Sequence, residues 1–186
     1  MEHELSPDKI AALVRRINRP IVLVGLMGVG KSSVGRRLAS MLHLPFTDAD
    51  DEIAYAAQMS IAEMFEQYGE AYFRDGERRV IARLVDHGRG VIATGGGAFI
   101  NPETRAMILS KAIAVWLDSD IEVLLERVGR NHNRPLLKDG NARETLVRLK
   151  AERESAYAEA PIHVTSGQGP HNRAVYDVLK GLDAWL

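Results

Sequence analysis

The stretch Pro20-Ile-Val-Leu-Val-Gly25-Leu-Met-Gly-Val-Gly30-Lys31-Ser32-Ser33 decides the fold. Ile21–Val24 is a short, continuous, β-branched run of the kind buried on both faces of a parallel sheet. Val34, Leu38, Met41 and Leu42 then recur at helical spacing. Between them, Gly25 to Ser32 fills G-x-x-x-x-G-K-[ST] completely, in the strand–loop–helix setting that gives the motif its meaning. Glycines let the backbone turn its N–H groups inward around phosphates, and the helix N-terminus adds positive potential. Gly28, Val29, Gly30, Lys31, Ser32 and Ser33 are therefore the expected nucleotide-binding residues. Lys31 is suited to neutralise the β- and γ-phosphates and the Ser32 hydroxyl to ligate magnesium. A glycine-rich turn that binds nothing is the bland alternative, and the flanking strand and helix disfavour it.

Strand and helix signals alternate on both sides of this loop. Upstream, Ser6-Pro7-Asp8 is a good helix start, followed by Ile10, Leu13, Val14 and Ile17 on one face. Downstream, Pro45–Asp48 suits a second strand, and Ser60-Ile-Ala-Glu63 fits a capping box opening a helix to about Tyr68. Another helix is expected over about Ala71–His87, and the strand Val91–Thr94 runs into Gly95, Gly96 and Gly97. Asn101-Pro102-Glu103 starts a helix, Ala112–Leu117 is a strand, and Ser119-Asp-Ile-Glu122 has the form of a second capping box. A charged helix over about Ala142–Glu159, a strand at Ile162–Val164 and a terminal helix through Val175, Val178, Leu179 and Leu182 complete the pattern. Five short strands separated by helices predict an α/β fold, a five-stranded parallel sheet covered by helices on both faces. One domain is expected over residues 19–186, with residues 1–18 as a helical extension.

Composition narrows the chemistry. The 186 residues include 24 basic and 25 acidic side chains, a formal net charge of −1, so no bulk field steers the protein toward nucleic acid or a membrane surface. There is no cysteine, which excludes disulfides, thiolate metal sites and cysteine nucleophiles. The longest apolar run, Ala112–Leu117, falls far short of the roughly 18 residues of a membrane span. Met1-Glu-His-Glu-Leu-Ser lacks the apolar region of a signal peptide, so a cytoplasmic protein is expected, and a monomer is the expected state. Asn-Lys-x-Asp, which a GTPase would use for guanine, is absent, and a short chain suits phosphate transfer to a small molecule.

Three further stretches sit where a second half of a site belongs. Asp48-Ala-Asp50-Asp51 follows the second strand, at the carboxyl end where α/β sheets place ligands, the bland alternative being that Asp50 and Asp51 merely cap the next helix. Arg74 and Glu77 lie three apart on one helix face, by default an exposed pair worth little. Gly95-Gly-Gly97 is entropically costly and implies either a tight turn or a close approach of backbone to a partner.

Taken in order, the phosphate loop, Asp48-Ala-Asp50, Phe73-Arg74-x-x-Glu77, Gly95-Gly-Gly97, Arg134-Pro-Leu-Leu137 and Arg153 resemble the shikimate kinases, from about Pro20 to the last helix. The resemblance implies a P-loop kinase that uses ATP and magnesium to phosphorylate the shikimate 3-hydroxyl on the route to chorismate and aromatic amino acids. It implies that Asp50 holds the reacting hydroxyl, either orienting it or also taking its proton. Arg74 and Arg153 grip the carboxylate, Glu77 orients Arg74, and Gly95, Gly96 and Gly97 underlie the ring. Asp48 reaches magnesium beside Ser32. Arg127 and Arg134 lie on the nucleotide side, Arg134 in a lid over about 129–141, and Gln168 is the candidate adenine contact. The substrate-binding region then covers about 50–80. A carboxylate needs a cationic fork and hydroxyls need acceptors, which this residue set supplies. The six histidines show no metal spacing, and Arg143, Arg148 and Lys150 are expected on a solvated helix face.

Overall fold

The computed structural model describes residues 5–130 and 141–186. Chain order is α1 (Pro7–Arg16), β1 (Ile21–Val24), α2 (Lys31–Leu42), β2 (Phe46–Asp48), α3 (Ala49–Ala57) and α4 (Ile61–Asp86). Then follow β3 (Val91–Ala93), a 3₁₀ turn (Ala98–Ile100), α5 (Pro102–Lys111), β4 (Ile113–Asp118) and α6 (Ile121–Gly129). The chain closes with α7 (Ala142–Tyr157), β5 (Ile162–Thr165) and α8 (Asn172–Trp185).

The five strands form one sheet in the order β2-β3-β1-β4-β5, with all pairings parallel. β1 lies at its centre, and all four of its residues are fully buried, as its apolar run requires. From β1 the chain runs to β2 and β3 on one side and then crosses to β4 and β5 on the other, so the loop leaving β1 opens at the point where strand order reverses. Ligands bind at such crevices in open α/β sheets. Each fully buried Leu or Ile of this core, such as Leu23, Leu38 or Ile113, contributes roughly 1.5–3 kcal/mol.

α1 joins the same core. Its Leu13 and the following Ile17 are buried, Arg16 pairs with Asp183 of α8 at 2.6 Å, and Arg89 donates to the Val14 carbonyl. α4 breaks at Gly69 (φ 82°, ψ 173°), which makes it the two successive helices expected from sequence. The Ser60–Glu63 capping box is complete, with both reciprocal hydrogen bonds present. The second expected box does not form. The N-cap of α6 is Asp120, while Ser119 is buried and its hydroxyl donates to the Ser166 carbonyl at 2.5 Å. A buried carbonyl between two strand ends needs a donor more than an exposed helix start does. No helix among the described residues is long and apolar enough to cross a membrane.

Candidate active site

The phosphate loop takes the shape its glycines permit. Gly30, the N-cap of α2, has φ +97°, and a Cβ there would lie 2.6 Å from the His171 ring. Only glycine meets both demands cheaply. Lys31 is buried, and its Nζ donates to the Gly25 and Leu26 carbonyls at 2.7 and 3.0 Å. The ammonium is thus held at the loop rather than extended into solvent.

Beside it, the Ser32 hydroxyl donates to Asp48 Oδ2 at 2.5 Å, and Asp48 Oδ1 accepts from the Asp50 backbone N–H at 3.0 Å. Asp48 therefore caps α3 and also ties that helix to the start of α2. The capping role weighed for Asp50 and Asp51 falls instead to Asp48, and those two acids lie in the first turn of α3. Ser32 and Asp48 bring two hard oxygen donors together, which suits magnesium. That ion keeps several waters and is held by one or two protein oxygens plus substrate phosphates. Among the described residues no group of three or more His, Cys, Asp or Glu could hold a metal, which fits that mode rather than an all-protein cage.

The acceptor side is built around the three glycines after β3. A Cβ on Gly97 would lie 2.5–2.6 Å from the Arg74 guanidinium, so that group rests directly on bare backbone. A Cβ on Gly95 would meet Asp50 Oδ1 at 3.0 Å and Glu77 Oε2 at 3.1 Å, and one on Gly96 would approach Arg153 Nη1 at 3.5 Å. The close-approach reading of the glycines is the one the structure supports. Side chains from α3, α4 and α7 converge on one short loop, and they are the four picked out from sequence.

Charge in this cluster is arranged for a ligand. Arg74 Nη1 donates to Glu77 Oε1 at 2.9 Å, and Glu77 is only 3% exposed, so this is no ordinary surface pair. Glu77 Oε2 and Arg153 Nη1 are buried and have no hydrogen-bond partner among the described residues. An open donor on a guanidinium in such a place calls for an anion. Sequence reasoning missed Tyr157. It lies one turn beyond Arg153 on α7, is buried, and donates its hydroxyl to the Gly96 carbonyl. Burial pushes its pKa up to about 12, against the pull of Arg153, so it remains a donor. Its i, i+4 spacing from Arg153 was the available signal.

Burial pushes the Glu77 carboxyl pKa up, opposed by Arg74 and reinforced by Asp50. The folded protein thus binds this proton more tightly than the unfolded chain, and stability from the group falls as pH rises from the ordinary value of 4.5 through the folded one. Glu77→Gln is therefore expected to raise Tm at neutral pH, by about 2–4 °C for each kcal/mol relieved, and to lose that gain below the ordinary carboxyl range. Acceptor KM should rise in the same variant, because Arg74 loses its charged partner. A lower Tm than wild type at pH 7 would show that the Arg74 pair outweighs the burial cost.

On the nucleotide side, Arg127 donates to the Val29 carbonyl at 3.0 Å and the Gly167 carbonyl at 2.6 Å, joining the phosphate loop to the segment after β5. The His171 ring packs on Gly30 with Nδ1 buried and unpartnered among the described residues. Burial first, then Arg127 and Arg37, lower its pKa, which keeps it neutral at pH 7. Gln168 is exposed and lines a cavity with His163, Arg173 and Asp177. His171, set aside on sequence with the other histidines, is thus the residue after β5 that touches the loop. Arg134 and most of the lid expected over 129–141 lie outside the described residues; Gly129 ends α6 and Asn141 caps α7.

The shikimate kinase family model matches residues 27–183. The chain is 61% identical to the shikimate kinase of Novosphingobium aromaticivorans over the whole of both chains. The protein belongs to the shikimate kinase family. A second relative, the shikimate kinase of Caulobacter vibrioides, is 57% identical over 164 residues, 88% of this chain and 82% of the relative. Among solved structures, the Acinetobacter baumannii shikimate kinase in complex with shikimate superposes with a TM-score of 0.78 at 35% identity, covering 87% of this chain and 89% of that one. Shikimate kinase membership matches the sequence expectation for both the fold and the family.

Proposed function

We propose that the protein transfers the γ-phosphoryl group of ATP to the 3-hydroxyl of shikimate, with magnesium, in the pathway to chorismate and the aromatic amino acids. The observation that carries this reading is the convergence of Asp50, Arg74, Glu77 and Arg153 on Gly95–Gly97. Shikimate offers one carboxylate and three hydroxyls, and the site offers two guanidinium groups and carboxylate acceptors around the backbone of Gly95–Gly97. Arg153, with its open buried Nη1, and Arg74, steadied by Glu77, are placed to hold the carboxylate. Gripping that end fixes which hydroxyl faces the phosphate loop.

Phosphoryl transfer asks the protein to align the reactants and spread charge, with little covalent work. The attacking hydroxyl forms the new O–P bond while the β–γ bridging P–O bond breaks, ADP leaves, and the hydroxyl proton passes to Asp50. Lys31 meets charge on the transferring group. Ser32 and Asp48 are the side chains placed to hold magnesium, which supplies further charge neutralisation on the phosphates when bound. Arg127 and His171 border the nucleotide end of the loop. By sequence resemblance, Arg134 adds a cation to the phosphates from the segment between α6 and α7. A cytoplasmic monomer acting on a small molecule, without nucleic acid or membrane, completes the reading, which the net charge of −1 favours because it gives no bulk field toward either surface.

The direct test is ADP release from ATP and magnesium, expected with shikimate and absent with gluconate or no acceptor. Asp50→Asn keeps shape and one acceptor while removing the charge, so kcat is expected to fall by about 10² or more with ATP binding unchanged. A kcat within a few-fold of wild type would leave Asp50 with only a helical role.

A further inference from the structure

Arg153 is carried by α7, and the inward face of that helix runs Leu146, Leu149, Lys150, Arg153, Tyr157. Lys150 does not lie on the solvated face expected from sequence. Its Nζ donates to Asp118 Oδ1 at 3.0 Å and to the Ser119 carbonyl at 2.9 Å, with the two paired side chains 25% and 18% exposed. Asp118 is the last residue of β4, and the same Oδ1 accepts from the Ser119 backbone N–H at 2.8 Å. Its other oxygen lies 3.9 Å from His163, whose ring stacks on Trp116 at 4.0 Å.

The contact is part of a continuous network. The Ser119 hydroxyl donates to the Ser166 carbonyl, the Ser166 hydroxyl accepts from Arg127 at 3.3 Å, and Arg127 donates to the phosphate-loop carbonyl of Val29. Lys150 thus fastens the helix that carries the acceptor-side arginine to the strand end from which the nucleotide-side helix departs. Three residues separate Lys150 from Arg153, about 4.5 Å along the axis, and Tyr157 pins the helix on the far side of Arg153.

We propose that Lys150, through Asp118 and Ser119, is a positioning residue for the acceptor: it sets the height and rotation of α7 at which the Arg153 guanidinium meets the substrate carboxylate. The inference rests on the reading of Arg153 given above. An exposed ion pair would contribute little. This one is mostly covered, its ammonium meets two acceptors at full hydrogen-bond length, and the helix has no other polar tie to β4 among the interactions described. Without it, the amino-terminal half of α7 is held by Leu146, Leu149 and the exposed Arg143–Glu122 pair to α6, which resist sliding and rotation less than a covered, two-acceptor contact.

The test is a kinetic cycle with Lys150→Met, Lys150→Arg and Arg153→Ala, read with shikimate as acceptor. Lys150→Met is expected to raise shikimate KM by about 5- to 10-fold, since small misplacements of a binding group are costly, while ATP KM stays unchanged. Lys150→Arg should recover most of the loss. On the Arg153→Ala background, Lys150→Met should add nothing, because its effect passes through that side chain. An unchanged shikimate KM in Lys150→Met overturns the proposal, as does a loss that simply adds to that of Arg153→Ala, or one shared equally by shikimate and ATP. If Lys150→Met fails to fold, Asp118→Asn must show the same split or the proposal falls. If Arg153→Ala itself leaves shikimate KM untouched, the carboxylate reading fails and this inference with it. A large Arg153 effect with a silent Lys150 removes this inference alone.

Discussion

Lys31→Ala is expected to lower kcat/KM for phosphoryl transfer by about 10³ or more while the fold survives. The lysine Nζ lies on the Gly25 and Leu26 carbonyls within the loop, so its charge is already held beside the place where phosphate charge accumulates. A preorganised cation of this kind needs no reorganisation at the moment of transfer. The carbonyls it leaves, those of Gly25 and Leu26, are buried, so Lys31→Ala should also lower Tm somewhat without unfolding the protein. Lys31→Met, which retains most of the buried stem, should show the same catalytic loss with a smaller effect on Tm. In both variants the rise in Tm on adding ATP and magnesium should shrink, because ligand that binds weakly stabilises little. Near-normal turnover in either folded variant would remove the nucleotide site from this loop.

What was legible in the sequence divides by distance along the chain. The phosphate loop could be read because a strand, a loop with three glycines and a helix start follow one another without interruption, and the physics is local. The Gly95–Gly97 run was informative for a related reason: three glycines exclude side chains, and the structure shows Arg74, Asp50, Glu77 and Arg153 filling the space a Cβ would need. Asp48 was visible as one member of an acidic cluster. Its double attachment to Ser32 and the Asp50 N–H was not, since sequence gives no measure of how α2 and α3 approach one another.

Ser119 and Lys150 show where local rules lose. Ser119 has the right neighbours for a capping box, yet the Ser166 carbonyl across the sheet edge claims its hydroxyl. Lys150 sits among Arg143, Arg148 and Glu152 in a helix rich in charge, and composition alone makes it one more solvated residue. Its partner Asp118 is 32 positions away, on a strand end brought near only by the fold. His171 was passed over for the same reason, because its contact is with Gly30 and no motif links the two. Pairings between distant elements are tertiary events, and local patterns carry no record of them.

Arg153→Ala is expected to weaken shikimate binding by about 2–5 kcal/mol, the range for truncating one partner of a desolvated, hydrogen-bonded charge pair, with ATP affinity unchanged. Arg153 is the cleaner of the two arginines to remove. Arg74 holds the buried Glu77 carboxylate at 2.9 Å, so Arg74→Ala would strand that charge and lower stability along with binding. Arg153 has Nη1 buried without a partner among the described residues, so its removal breaks no carboxylate hydrogen bond of the kind Arg74 makes. Lysine should not replace it, because a single ammonium cannot copy the two-pronged contact of a guanidinium with a carboxylate. Calorimetry with shikimate and with an analogue whose carboxylate is reduced to an alcohol closes the argument. On wild type the analogue should lose about as much affinity as Arg153→Ala loses for shikimate. On Arg153→Ala it should lose little more, since the same interaction would then be deleted twice. If the two losses add in full, Arg153 does not meet the carboxylate, and α7 contributes to the site only through the Tyr157–Gly96 contact.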